Sequence, residues 1–152
     1  MWTARLVLEP FSPEDAYAAF QQRLSHEVGA VVTFAGLARG ANRQGAPVDM
    51  LVLEHHPRLT QLSLEDITAS AAERFEVSAL DVIHRAGHIS PGDAIVWAAA
   101  AAPHRRAAFE AADYLMDRLK TEAMFWKRED GRDGSRWIEP TDTDHHERAR
   151  WE

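Results

Sequence analysis

The sequence predicts an α+β single domain with a largely antiparallel sheet and three helices, and three observations predict it. First, 152 residues, 45% of them hydrophobic and 27% charged, suffice for one core and one domain. Second, the β-branched and apolar runs are short, are bounded by Gly and Pro, and come mostly in neighbouring pairs, as hairpin strands do. Third, three longer stretches carry helix signals between those runs. The pattern does not read as a doubly wound nucleotide-binding sheet.

In chain order, Arg5-Leu6-Val7-Leu8-Glu9 reads as a first strand. Ser12-Pro13-Glu14-Asp15 supplies an N-cap, a proline at the first helical position and acids in the first turn, so a short helix follows to about Leu24. Residues 29–36 and 48–55 read as strands, expected to pair as an antiparallel hairpin across a polar loop containing Arg39, Asn42, Arg43 and Gly45. Loops of that length in compact domains are commonly functional, which makes Arg39 and Arg43 candidate ligand contacts. Pro57 ends the second strand, and Leu62, Ile67 and Ala71 place an amphipathic helix over residues 60–75.

Residues 80–84 and 94–102 read as a strand pair joined through Ser90-Pro91-Gly92-Asp93, although the alanine-rich half of the second run suits a helix equally. Ala108, Phe109, Ala112, Leu115, Met116 and Leu119 form a stripe at helical spacing, which defines the third helix, residues 104–121. Residues 124–129 and 135–139 flank a Gly-containing loop and suit a hairpin. The domain is set at residues 1–140, followed by a polar C-terminal tail, 141–152, expected to order only against a partner.

Composition excludes several function classes. Lys plus Arg is 17 against 24 Asp plus Glu, so a formal charge of −7 argues against a general nucleic-acid binder. No apolar stretch reaches the ~20 residues of a membrane span, and no apolar segment follows Met1-Trp2-Thr3-Ala4-Arg5 as in a signal peptide. A cytoplasmic protein is expected. With no cysteine there is no disulfide, thiolate metal site or catalytic thiol. His84 and His88 lie four apart across a strand end, a spacing that does not set two ligands on one face, so no metal site is expected. Phe125, Trp126 and Trp137 read as core or interface residues rather than a base-stacking platform.

Fifteen of the 17 basic residues are Arg; only Lys120 and Lys127 are Lys. Arg stays protonated in proteins, whereas a crowded or desolvated Lys amine can lose its proton. A chain reversal near Glu122-Ala123 would bring both amines over one cleft; the alternative is two solvated surface lysines. Separately, Pro103-His104-Arg105-Arg106 places positive side chains at a helix start, where the helix dipole disfavours them unless an anion binds. That cluster is a candidate phosphate site; the alternative is that its arginines pair with Glu110 or other acids.

An ordered set of motifs then resembles one known family. Gly29-Ala30-Val31-Val32-Thr33-Phe34-Ala35-Gly36-Leu37-Ala38-Arg39 is followed by Leu53-Glu54-His55-His56-Pro57, Val82-Ile83-His84-Arg85-Ala86-Gly87 and Pro91-Gly92-Asp93. His104-Arg105, Met116-Asp117-Arg118-Leu119-Lys120-Thr121, Phe125-Trp126-Lys127-Arg128-Glu129 and Arg136-Trp137 complete it. Over nearly its whole length the chain resembles the large, catalytic subunit of molybdopterin synthase.

The resemblance implies an α/β-hammerhead-like fold and a homodimer within a heterotetramer. In it, each large subunit binds a small ubiquitin-like sulfur-carrier subunit ending in a Gly-Gly thiocarboxylate. Two sulfurs pass to cyclic pyranopterin monophosphate, giving the dithiolene that later holds molybdenum. No cofactor of the subunit's own is implied, because the sulfur arrives activated on the partner. Lys120 and Lys127 match the family's active-site lysines. Arg39, His104 and Arg105 match substrate-pocket positions, with Arg128, Glu129 and Arg136 in or beside the pocket motif and Phe34 and Met116 as apolar walls. Leu37 and Ala38 belong to the same segment; relatives often carry a basic residue where Leu37 stands, so only backbone contact remains available there.

A non-catalytic module docking an anionic peptide tail or phosphorylated ligand through the same Arg and Lys groups is the alternative. A small phosphoesterase using His104 lacks a recognisable nucleophile or metal shell.

Overall fold

The computed structural model describes residues 1–152. The elements are β1 (Trp2–Val7), α1 (Pro13–Gln22), β2 (Ala30–Leu37), β3 (Met50–His55), α2 (Leu59–Arg74), β4 (Ala79–Arg85), β5 (Gly87–Ile89), β6 (Ala94–Ala102), α3 (Arg105–Glu122), β7 (Phe125–Gly131), β8 (Gly134–Ile138) and α4 (Asp142–Ala149). They form two four-stranded sheets, ordered β1-β4-β6-β2 and β5-β3-β7-β8. Only β1 and β4 pair in parallel; the remaining ladders are antiparallel. The α+β class and the largely antiparallel sheet expected from the sequence are therefore observed.

The alanine run resolves as strand β6, between β4 and β2. Its side chains are buried on both faces, so small residues let helices approach from each side. Val96, Ala98 and Ala100 meet α2 and α3 on one face. Trp97, Ala99 and Ala101 meet α1 on the other, where Phe20 packs edge-on against Trp97 at 5.8 Å. Helix α1 starts as expected, with Ser12 Oγ accepting from the Asp15 amide and proline in the first turn.

Three expectations are corrected. The runs expected to pair as a hairpin, β2 and β3, lie in different sheets. β2 joins β6, while β3 pairs with β5 and β7 because Leu51 and Leu53 bury against Ile89, Ala38 and Phe125. The short strand β5, unforeseen in the sequence, supplies Ile89 to that cluster. The chain carries four helices, not three: the polar tail forms α4, closed by a capping box between Thr141 and Asp144 and packed on α3 rather than waiting for a partner. Trp151 holds the tail end, with its ring edge-on to Phe75 and Tyr114 and its Nε1 donating to Asp117 at 2.6 Å.

Helix α2 has no side-chain cap from Arg58; instead His56 Nδ1 accepts from the amides of Arg58 and Leu59. In its first turns, the Thr60 hydroxyl donates to the Met124 carbonyl at 2.6 Å and Ser63 Oγ accepts from the Met124 amide at 3.1 Å. The reversal between α3 and β7 is thereby pinned to α2.

Candidate active site

That reversal delivers Lys120, in the last turn of α3, and Lys127, on β7, to one neighbourhood. Side chains alternate along a strand, so Phe125, Lys127 and Glu129 share a face of β7. Their cross-strand partners Leu53 and Leu51 on β3 belong to the small apolar cluster. Lys127 is accordingly half-buried whereas Lys120 is exposed. Burial pushes the Lys127 ammonium below its ordinary value, and Lys120, Arg39 and Arg43 push it the same way against the opposing charge of Glu129.

The same charges act on two other groups. Burial takes His84 down to about 4, against a bond from its ring to the Arg85 carbonyl and with further help from Lys120. Burial would raise Asp144, yet hydrogen bonds from Thr141 hold it below the usual carboxylate value, assisted by Lys120 and Arg43. The cleft thus gathers Arg39 and Arg43 from the loop after β2, Lys120 from α3 and Lys127 from β7. None of these four cations lies within 4.0 Å of a carboxylate in an ion pair. A cluster of cations with Glu129 and Asp144 nearby but no ion pair suits an anionic ligand, and a half-buried amine whose charged form is disfavoured suits proton exchange.

The other sequence-predicted residues divide. Glu129 lies on the Lys127 face and opposite Arg136, which donates to Gln44 Oε1 at 2.9 Å. Ala38 is buried immediately before Arg39, and Leu37 is exposed at the register shift that ends β2. Met116 precedes Lys120 by one turn of α3, packed against the main core. Phe34 is exposed on β2, its ring so close over Gly36 that a Cβ there would meet Phe34 Cε1 at 3.2 Å.

Two groups stand apart. Arg128 points to the opposite face of β7 from Lys127, where Asp130 binds it at 2.8 Å, Glu54 at 3.7 Å, and its guanidinium lies over Trp137. Its charge is spent there rather than in the cleft. His104 and Arg105 sit at the N-terminal end of the 18-residue α3, about 24 Å along the axis from Lys120 at 1.5 Å per residue. At that end His104 makes no side-chain cap bond, the first turn has no acid, and Arg106 reaches Glu110 only at 3.9 Å.

A cleft of about 560 Å³ lies elsewhere, lined by Trp2, Thr3, Arg5, Arg23, Glu65 and Asp81. It holds none of the predicted site residues, and its buried Asp81 is already satisfied by Arg23 and the Thr3 hydroxyl. No helix is long and apolar enough to cross a membrane. His84 carries no metal-ligand spacing in the sequence; the signal for it is a His-Arg pair closing a short strand whose only other polar residue is Asp81.

A family model described as MoaE protein matches residues 6–122. The molybdopterin synthase catalytic subunit of Caulobacter vibrioides is 48% identical over 144 residues, 95% of this chain and 93% of that protein. The molybdopterin biosynthesis MoaE protein of Burkholderia ambifaria MC40-6 superposes with a TM-score of 0.82 at 38% identity, over 99% of this chain and 98% of that one. The crystal structure of molybdopterin synthase from Staphylococcus aureus gives a TM-score of 0.78 at 30% identity, over 88% and 94%.

Proposed function

The chain belongs to the MoaE protein family, a family of enzymes in molybdenum cofactor biosynthesis, and we propose that it acts as the sulfur-transferring catalytic subunit of a molybdopterin synthase. Its substrates on this reading are cyclic pyranopterin monophosphate and the C-terminal thiocarboxylate of a small ubiquitin-like carrier. In each of two transfers the bond from sulfur to the carrier's acyl carbon breaks, a new carbon–sulfur bond replaces a carbon–oxygen bond on the pterin, and water or the displaced oxygen returns the carrier's end to a carboxylate.

The observation that carries the reading is the half-buried Lys127 amine beside Lys120, Arg39 and Arg43, none of which forms an ion pair with a carboxylate. Lys127, whose charged form burial disfavours, takes up or releases a proton, or bonds the substrate transiently. Lys120 and Arg39 hold negative charge, the substrate's phosphate or the carrier's acyl oxygen, as it develops. Arg136 and Glu129 border the cleft, Phe34 and Met116 give it apolar wall, and the exposed Leu37 lies beside the carrier's tail, the Ala38 backbone being already bonded to residues 92–93.

The length of α3 bears on the assembly. One copy of α3 holds His104-Arg105 and Lys120 at opposite ends, so both join one pocket only when a second copy supplies the helix start. A homodimer, with one carrier on each subunit, satisfies that requirement.

Single-turnover reconstitution tests the function. Wild type, Lys120→Arg and Lys127→Arg are mixed with thiocarboxylated carrier and cyclic pyranopterin monophosphate, and dithiolene pterin is followed by its fluorescent oxidation product. Product in the wild type that collapses in both charge-preserving variants, with carrier binding retained, supports titratable amines at work. Carrier binding without product in the wild type moves the weight to a docking module.

A further inference from the structure

We propose that His84 and Arg85, adjacent at the end of β4, are positioning residues of the lysine cleft: His84 seats the strand that presents Lys127, and Arg85 seats the strand end that presents Arg39. This rests on the reading of the cleft as an active site and concerns two residues to which that reading gives no part.

Neighbours on a strand point to opposite faces, so the pair reaches into both layers. On the helix side, the His84 ring stacks on Phe125 with centroids 4.1 Å apart and planes 24° from parallel. Phe125 lies two residues before Lys127 on the same face of β7, so this stack joins the first sheet to the strand of the second that carries the amine. The His84 Nδ1 donates to the Arg85 carbonyl at 2.9 Å, which orients the ring and leaves Nε2 without a proton. A neutral ring here matters, because a protonated one would add a third positive charge beside two ammonium groups.

On the other face Arg85 is 6% exposed, and its terminal nitrogens donate to Asp93 Oδ2 at 3.1 Å and the His88 carbonyl at 2.9 Å. Its Nε is the one buried side-chain polar atom without a partner. The segment so gripped holds Ala38 in turn: the Ala38 amide donates to the Asp93 carbonyl at 2.9 Å and the Gly92 amide to the Ala38 carbonyl at 2.8 Å. Arg39 is the next residue. An apolar side chain would occupy the Arg85 site without burying a charge, so what the guanidinium adds is placement of the 88–93 segment against the backbone that bears Arg39. Misplacing a catalytic contact by about 1 Å costs on the order of 100-fold in rate.

The test uses the small number of lysines. The chain, ¹³C-dimethylated at its amines, is titrated by NMR as wild type, His84→Leu and His84→Phe. Inorganic phosphate binding is measured for unmodified wild type, Arg85→Gln and Arg85→Lys, and single-turnover rates for all. The expected result is that His84→Leu raises the Lys127 midpoint toward the ordinary lysine value and slows the single-turnover rate at least tenfold, with the pterin concentration giving half the maximal rate changed less than twofold. His84→Phe, which keeps the ring stack, retains the wild-type midpoint and most of the rate. Arg85→Gln weakens phosphate binding five- to tenfold and leaves the Lys127 midpoint in place, and Arg85→Lys recovers part of the loss.

A Lys127 midpoint unmoved in folded His84→Leu, or one displaced in His84→Phe, overturns the role of the stack. If His84→Leu does not fold, His84→Phe decides alone. Wild-type phosphate affinity in folded Arg85→Gln overturns the role of Arg85, and if that variant does not fold, Arg85→Lys must bind phosphate more weakly than wild type or the role is lost. Absence of sulfur transfer in the wild type, with the NMR and phosphate results as expected, removes the proposed function and leaves the positioning intact.

Discussion

The ammonium of Lys120 lowers the pKa of Lys127, second only to burial among the causes. Two residues separated by a helix end and a pinned reversal therefore act as one electrostatic unit, in which the charged form of the half-buried Lys127 is disfavoured.

Removing a neighbouring positive charge is predicted to raise the Lys127 midpoint. Lys120→Gln moves it up further than Arg43→Gln, because Lys120 contributes more than Arg43. The titration of Lys127 measures this directly, and in Lys120→Gln it is the single lysine left. Glu129→Gln moves the midpoint down, since Glu129 favours the charged amine.

His84 predicts an acid limb of stability. Its folded pKa of about 4 lies below the ordinary histidine value of 6.5, so between those values the unfolded chain binds a proton that the folded chain refuses. Its contribution is complete above pH 6.5 and is lost as pH falls through 4, by an amount on the order of 3 kcal/mol. Urea unfolding between pH 4 and 7 is expected to show a shallower loss in His84→Phe than in wild type.

Trp151→Ala is predicted to destabilise the domain by about 2 kcal/mol, from lost packing on Phe75 and Tyr114 and the broken bond to Asp117. Thermal unfolding measures it. Amide exchange in α4 should accelerate more than exchange in β6, because the tail is fastened at its end and β6 is not.

Gly29→Ala is predicted to cost about 1–3 kcal/mol. A Cβ at Gly29 would stand 2.4 Å from the Pro103 carbonyl oxygen, and the Gly29 amide is held to the Ala102 carbonyl at 3.0 Å, so neither backbone can retreat freely. Because His104 follows Pro103, phosphate binding in this variant, read by calorimetry beside its melting temperature, is expected to weaken.

Much of this was legible in the sequence where the information is local. The Ser12-Pro13 helix start, the stripe of α3 and the β7–β8 hairpin depend on near neighbours, and the two lysines stood out by residue type alone. Partners distant in sequence were less legible. Nothing within residues 29–55 says that β2 will choose an alanine strand 60 residues on, or that β3 will choose Ile89 and Phe125. The order of the tail is hidden for the same reason, since Trp151 finds its partners at the C-terminal end of α2 and on α3 rather than beside it. Arg128 and Lys127 are adjacent in one motif, yet the pleat sends them to opposite faces, an alternation available once the strand is known.

Helix α3 works as a ruler, and rulers do not tolerate edits. An inserted residue within it would turn Lys120 by about 100° relative to His104, since a helix takes 3.6 residues per turn. The amine would leave its side of the cleft while the helix start stayed in register. The loop between β2 and β3, by contrast, is braced by bonds among near neighbours, Asn42 Oδ1 accepting from the Gln44 and Ala46 amides inside the Ala41–Pro47 bridge. Insertions and deletions should therefore accumulate near its tip and be purged from α3, so that the chain's tolerance of length variation traces where its two cationic ends must stay in step.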